Sequence, residues 1–283
     1  MIKDYYQLTK PGIISGNAIT VVAGFLLASG KNIDLWLMLA TLAGLSLVVA
    51  SGCVMNNYID RDIDGLMERT KTRALVMGTI SPRNALVFGK VLAILGLLIL
   101  YFYTNLLAVL AAILGLFVYV VVYSRWLKRT STHGTIVGSI SGAMPPVVGY
   151  LAVSGSIDLG AVILFFILAL WQMPHSFAIA IYRLEDYKKA GIPVLPVKKG
   201  IQITKLQTLI YVALFVMALF ALPVFGYAGY AYFLVMIVFG FGWLSLSASG
   251  FYSANDKIWA RRMFVYSIII LLIFSIAISV DWK

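Results

Sequence analysis

Residues 35–64 read LWLMLATLAGLSLVVASGCVMNNYIDRDID, an apolar stretch that ends in amides and acids. Its apolar part, 35–57, is longer than the stretch of about 20 residues that a helix needs to cross a bilayer. The rest of the chain has the same character, because 61% of its 283 residues are hydrophobic and only 12% are charged. Such a composition cannot supply a polar surface for a fold in water. The sequence therefore predicts an all-α integral membrane protein.

Eight further apolar runs bring the number of predicted spans to nine. They lie at 13–30, 84–103, 106–124, 135–153, 159–181, 206–226, 229–250 and 261–281. Apolar runs of this length are typical of transmembrane helices. We expect one domain, 1–283, built as a bundle of nine transmembrane helices.

The basic residues divide unevenly between the two sides of this arrangement. Of the 22 Lys and Arg residues, 20 fall on the side of the N-terminus, and only Lys31 and Lys283 fall on the other. Positive charge accumulates on the cytoplasmic side of membrane proteins. The split therefore predicts a cytoplasmic N-terminus and a periplasmic C-terminus, and it explains the net charge of +11 without a nucleic-acid partner. Both long loops, 58–83 and 182–205, would then be cytoplasmic, so we expect the chemistry there.

An acidic motif follows the second span. Asn56, Asp60 and Asp64 recur every four residues, so they share one face if the helix continues. Two carboxylates and an amide suit a hard cation such as Mg²⁺, which binds proteins through a few oxygens together with substrate phosphates. Arg69 and Arg73 come next and could hold a phosphate ester. The alternative is a solvated loop of mixed charge, which the closeness of the acids to an apolar span disfavours.

A second cluster lies at the end of the sixth span. Trp171 and His175 lie within the second half of this span, and Tyr182 and Asp186, four residues apart, lie just beyond its end. The aromatic rings either pack in the core or stabilise a carbocation through their π faces. His175 either packs near the kink expected at Pro174 or contacts a bound substrate. The sequence leaves both choices open.

These motifs resemble those of the UbiA superfamily of intramembrane prenyltransferases, and longer strings are similar to the branch that farnesylates protohaem IX. The strings are TKPG at 9–12, NNYIDRDID at 56–64, MERT at 67–70, YS at 123–124 with KR at 128–129, GAMPP at 142–146, WQMPH at 171–175 and AGIPVLP at 190–196. The likeness runs from residue 9 to Trp282. Many superfamily members have two aspartates in the second motif, whereas this chain has Tyr182 and Asp186, as the haem branch does. A second metal ion would therefore be held less tightly.

The resemblance implies a UbiA-type bundle around a central cavity in a bacterial inner membrane. It implies farnesyl diphosphate and haem B as substrates, haem O as product, Mg²⁺ as cofactor, and a haem–copper terminal oxidase or haem A synthase as downstream partner. The implied site residues are Asp60, Asp64, Asp186 and Tyr182 for catalysis; Asn56, Asp60, Asp64 and Asp186 for the metal; Lys10, Arg69, Arg73, Lys128 and Arg183 for diphosphate; and Trp171 and His175 for haem.

Two alternatives remain. A UbiA-type enzyme could instead prenylate an aromatic acid or a quinone precursor, but the WQMPH string and the single aspartate of the second motif favour haem. Intramembrane carboxylates also line the pathways of transporters. Transporter sites lie near the bilayer midplane in broken helices, whereas these acids cluster at one face.

Overall fold

The computed structural model describes residues 2–281, and nearly all of them are helical. In chain order the helices are α1 (Ile2–Leu8), α2 (Pro11–Ser29), α3 (Leu35–Asp64), α4 (Pro82–Tyr103), α5 (Leu106–Thr130), α6 (Gly134–Ser154), α7 (Leu159–Tyr182), α8 (Leu184–Lys189), α9 (Leu195–Val224), α10 (Tyr230–Tyr252) and α11 (Asp256–Val280). All of these except α1 and α8 are long and apolar enough to cross a membrane, which makes nine spans among the described residues. The predicted fold class is confirmed. Trp282, where the resemblance ends, and Lys283 lie outside the described residues.

Several helices extend beyond the predicted spans at one end of the bundle. This end, where α3 and α7 terminate at Asp64 and Tyr182 and α11 begins at Asp256, is termed the charged face below. The predicted loop 58–83 starts only after Asp64, and the predicted loop 182–205 contains α8 and the beginning of α9. Hydropathy underestimates these helices because intrahelical hydrogen bonds form whether the side chains are polar or apolar.

Short polar residues define where five of the long helices begin. Asp34, Ser81, Asn105, Asp158 and Asn255 each accept a hydrogen bond from a backbone N–H of the first turn that follows. Such N-caps satisfy amides that have no partner inside the helix. They therefore set the start of α3, α4, α5, α7 and α11.

Helices α2 and α6 approach each other closely through glycines. Gly24 lies against the backbone carbonyl of Pro146, and Gly149 lies against that of Val21, so neither position has room for a Cβ atom. Small residues allow such backbone contacts between membrane helices. The contact fixes two of the walls of the cavity that lies inside the bundle.

The cavity has a volume of about 1000 Å³ and reaches the charged face. Helices α2, α3, α5, α6, α7, α8 and α11 line it, together with the loops that follow α3, α5 and α8. This arrangement is the predicted bundle around a central cavity.

Candidate active site

The acidic motif forms a stripe on the last turns of α3, as its spacing predicted. Asn56, Asp60 and Asp64 are at most 5% exposed to solvent, and all three line the cavity. The helix runs unbroken through the motif, so the three side chains lie one turn apart on a single face. Buried carboxylates at such spacing need cations close by.

Three cations from different segments meet this stripe. Lys128, at the end of α5, forms an ion pair with Asp60 Oδ2, and Arg73 places its guanidinium 2.5 Å from Asp64 Oδ2. Lys10 Nζ donates a hydrogen bond to Asn56 Oδ1 at 2.6 Å. The structure thus assembles three of the residues predicted to bind diphosphate directly around the predicted metal ligands.

The donor atoms of the stripe fit a hard divalent cation. Asp60 Oδ1 is buried and has no hydrogen-bond partner among the described residues, and the Arg129 guanidinium lies 3.8 Å away. Asn56 Nδ2 donates to Asp60 Oδ2 at 2.8 Å and to Ser124 Oγ at 3.0 Å, which holds the carboxylate in place. An orphaned buried carboxylate oxygen calls for a ligand. Oxygen donors from two carboxylates and one amide are a set that Mg²⁺ accepts when phosphates complete its shell.

Lys10, which directly precedes α2, has a strained backbone conformation and a lowered pKa. Its backbone is left-handed, with φ 54° and ψ 69°, a region that residues other than glycine seldom occupy. The pKa of the Lys10 ammonium is lowered to about 8, chiefly by burial, and the charges of the nearby Arg73 and Lys128 act in the same direction. Strained backbone is typical of functional sites. An anion entering the cavity would relieve this crowding of positive charge.

Helix α5 changes its winding as it passes the acids. Residues Val118–Leu127 form widened π-helical turns, which often mark functional sites. This segment supplies Ser124 to Asn56 and places the stacked rings of Tyr119 and Tyr123 on the cavity wall.

The second acidic position lies apart from the first. Asp186 is on α8, where its Oδ1 accepts a hydrogen bond from the backbone N–H of Glu68 at 3.3 Å, and it does not line the cavity. Within residues 2–281, no three His, Cys, Asp or Glu side chains lie close enough together to hold a metal ion. The structure therefore brings Asp60 and Asp64 together without Asp186. Tyr182, Arg183 and Arg69 do line the cavity.

An aromatic wall faces the cavity from α7 and α11. The rings of Trp171 and His175 stack with centroids 4.7 Å apart, and Phe264 lies 5.1 Å from His175. Ser267 Oγ donates to Phe264 O at 2.6 Å, so it accepts from His175 Nδ1 at 2.7 Å. The proton of the neutral imidazole is thereby placed on Nδ1. No other described residue bonds to Nε2, whose lone pair is left for a ligand in the cavity.

Three residues in or around the site were given no role from the sequence, and of these only Arg261 lines the cavity. Ser124 Oγ accepts a hydrogen bond from Asn56 Nδ2. The Arg129 guanidinium donates to both carboxylate oxygens of Asp62 at 2.7 Å. Arg261 lines the cavity one turn before Phe264. The basic side chains could have been found by their position just beyond apolar spans. Ser124 gave no such signal.

Comparisons with known proteins show which sequences and folds this chain is similar to. The model of the UbiA prenyltransferase family matches residues 17–269. A curated protein named protoheme IX farnesyltransferase, from Yersinia pseudotuberculosis serotype O:1b (strain IP 31758), is 54% identical over 283 residues, which are 100% of this chain and 96% of that protein. A structure of digeranylgeranylglyceryl phosphate synthase superposes with a TM-score of 0.82 at 24% identity, covering 99% of this chain and 97% of its own.

A second solved structure carries ligands. It is a UbiA homolog from Archaeoglobus fulgidus bound to GPP and Mg²⁺, with a TM-score of 0.65 at 18% identity over 97% of this chain and 99% of that chain. At such identities the two structures show the shared fold, whereas the family model and the curated relative cover most or all of the sequence. The chain therefore belongs to the UbiA prenyltransferase family, in which its full-length relatives are protoheme IX farnesyltransferases.

Proposed function

We propose that this prenyltransferase transfers the farnesyl group of farnesyl diphosphate to a vinyl group of haem B, with addition of water, and releases haem O and diphosphate. One observation carries the proposal: a single cavity has an acid-and-cation wall on α3 and α5 and a Trp–His wall on α7 and α11. The first wall suits a diphosphate ester with a divalent cation. The second suits a flat macrocycle with a metal centre.

The donor would bind at the acidic stripe. Asn56, Asp60 and Asp64 would hold Mg²⁺, which when bound supplies positive charge to the diphosphate. The homolog bound to GPP and Mg²⁺ supports this use of the fold. Lys10 contacts Asn56 and Lys128 contacts Asp60, so both ammonium groups could bind diphosphate oxygens in place of these side-chain oxygens when the donor is bound.

Further positive charge surrounds the same end of the cavity. Arg73 pairs with Asp64, while Arg69 and Arg183 line the cavity wall. These guanidinium groups would stabilise the charge that develops on the leaving diphosphate. Asp186 would contribute only if α8 moved toward the stripe, since its carboxylate now holds the amide of Glu68.

The reaction breaks the allylic C–O bond, the π bond of the vinyl group and one O–H bond of water, and it forms a C–C bond and a C–O bond on the former vinyl group. The allylic C–O bond breaks and its electron pair leaves with diphosphate. The terminal vinyl carbon of haem attacks the farnesyl cation, and the new cation beside the porphyrin takes up water and loses a proton to the diphosphate or solvent. Tyr182 lines the cavity and has two positive charges against its ring, with Arg183 4.8 Å and Lys257 5.7 Å from the ring centroid. It would act by positioning them.

The acceptor would bind at the aromatic wall. His175 lines the cavity, and the hydrogen bond between its Nδ1 and Ser267 leaves Nε2 as the nitrogen for a ligand, which is the arrangement in which histidine binds a metal centre. We propose that it is the axial ligand of the haem iron and that Trp171, which stacks on it, sets the angle of the imidazole. A quinone precursor or an aromatic acid has no metal centre for this nitrogen to bind.

The location of the site fits these substrates. We propose that the charged face is cytoplasmic in a bacterial inner membrane, because the positive charge collects there. The diphosphate head is then within reach of water, while the farnesyl tail and the product remain among apolar helices. Haem O would pass within the membrane to a haem–copper oxidase or a haem A synthase.

Product analysis tests the proposal. The purified protein in detergent would be incubated with haem B, farnesyl diphosphate and Mg²⁺ in ¹⁸O-labelled water, and the extracted haem analysed by mass spectrometry. We expect a haem that has gained one farnesyl group and one labelled hydroxyl. Prenylated 4-hydroxybenzoate in parallel reactions, with haem unchanged, would keep the fold and overturn the acceptor.

A further inference from the structure

We propose that Arg261 and Lys257, in the first turns of α11, bind the two propionate carboxylates of the porphyrin acceptor. The inference rests on the proposed function and adds to it the residues that set the orientation of the acceptor. Nothing in the donor chemistry requires them, because the acidic stripe has its own cations on α2, α5 and the loop after α3.

The place of Arg261 on the aromatic wall is the first support. Arg261 lines the cavity three residues before Phe264, the residue that packs against the His175 ring. Residues three apart share a face of a helix and lie about one turn from each other. The guanidinium therefore lies on the same wall as the proposed iron ligand, displaced toward the charged face.

The charge balance of this corner is the second support. Within residues 2–281, neither Arg261 nor Lys257 forms an ion pair, because the adjacent carboxylate of Asp256 is taken by Lys205 at 2.5 Å. The Tyr182 ring lines the cavity and holds Arg183 and Lys257 against its face, although Lys257 is exposed and lies outside the cavity lining. On α3, by contrast, Asp60, Asp62 and Asp64 all have basic partners. The positive charges of Arg261 and Lys257 on α11 are thus without a carboxylate partner among the described residues, so an anionic ligand could bind there.

The chemistry of the acceptor matches this charge. Protohaem IX carries two propionates on one half of the macrocycle and two vinyl groups on the other. Iron held by His175 would leave the ring free to rotate about the iron–nitrogen bond. Carboxylates bound by Arg261 and Lys257 would remove that freedom and select which edge of the ring meets the farnesyl cation.

Binding measurements with an esterified porphyrin test the inference. Ferric protohaem IX and its dimethyl ester, which lacks the two carboxylate charges, would be titrated into the protein in neutral phosphatidylcholine nanodiscs. We expect the wild type to bind protohaem about tenfold or more tightly than the ester, and Arg261→Gln to lose most of that preference while keeping its affinity for the ester. Arg262→Gln is the matched control, since Arg262 is adjacent and exposed like Arg261 but lies outside the cavity lining.

Each other outcome overturns the inference in a distinct way. A wild type that binds protohaem and its ester equally would contradict it without any variant. Arg261→Gln protein that loses affinity for farnesyl thiodiphosphate but keeps the preference for protohaem would assign the guanidinium to the donor. Both results leave the proposed function standing if haem is still farnesylated. A wild type that binds neither porphyrin would overturn the acceptor as well.

Discussion

Asp60 and Asp62 are two residues apart on α3 and have opposite surroundings. Asp60 is 1% exposed, faces the cavity and leaves Oδ1 without a hydrogen bond, whereas the Asp62 side chain is 59% exposed and is held by Arg129. A two-residue offset on a helix turns a side chain to the other side. The proposed chemistry needs the first carboxylate and not the second.

This difference gives a matched pair of variants. Asp60→Asn keeps the size of the side chain and removes the charge that would hold Mg²⁺, so we expect turnover to fall by on the order of 100-fold or more. Asp62→Asn breaks an exposed ion pair, so we expect turnover within about threefold of the wild type. Steady-state rates over a Mg²⁺ titration provide the measurement. Equal losses in both variants would contradict the role of Asp60.

His175 and Ser267 form a second testable pair. His175→Ala should remove the nitrogen ligand from bound ferric haem, which changes its absorption and electron paramagnetic resonance spectra. Ser267→Ala leaves the imidazole but frees its tautomer, so we expect the nitrogen ligand to persist with about 10-fold weaker haem binding. Identical spectra for wild type and His175→Ala would remove the histidine from the iron.

The residues of the acidic stripe could be predicted because spacing on one helix determines their common face. Asn56, Asp60 and Asp64 needed only the assumption that α3 continues past its apolar part. Ser124 could not be predicted, because its contact with Asn56 depends on the π-helical winding of α5 and on how two helices pack. The position of Arg261 in the cavity depends likewise on packing between α7 and α11.

At the scale of helices, hydropathy located every span but misplaced several ends. Helix α9 begins at Leu195, well before the predicted 206, and turns at Gly200, where φ is 83°. The added stretch, 195–205, contains three lysines and the kink at Gly200, so hydropathy does not mark it as part of a span. The separation of Asp186 from the acidic stripe could not be predicted from hydropathy either. It depends on the fold of the segment between α7 and α9, which places the Asp186 carboxylate against the backbone N–H of Glu68.

The contact between α2 and α6 carries a prediction about stability. Gly24→Ala would press a methyl group onto the carbonyl of Pro146, so we expect a cost of about 1–3 kcal/mol and a lower melting temperature. Gly16→Ala is the control on the same helix, because no atom lies within 4 Å of a Cβ there. Thermal unfolding in detergent gives the comparison. A Gly24→Ala protein as stable as Gly16→Ala would show that the helices are not in such close contact.

The whole molecule carries its charge at one end, which predicts its orientation. In a Cys53→Ala background, Lys31→Cys and Lys71→Cys each place one exposed thiol on opposite sides of the bundle. With a cytoplasmic charged face, a membrane-impermeant maleimide should label Cys at 31 in intact cells and Cys at 71 only after permeabilisation. The reverse pattern would invert the topology and move the site to the periplasm.

The central claim concerns which acceptor meets the farnesyl cation in this cavity. Competition measures it most directly: haem B and 4-hydroxybenzoate are offered together, at equal concentration, with farnesyl diphosphate and either Mg²⁺ or a chelator. The account predicts farnesylated haem as the dominant product with Mg²⁺ and almost none with the chelator. Prenylated 4-hydroxybenzoate as the main product, or farnesylated haem formed equally well with the chelator, would contradict it.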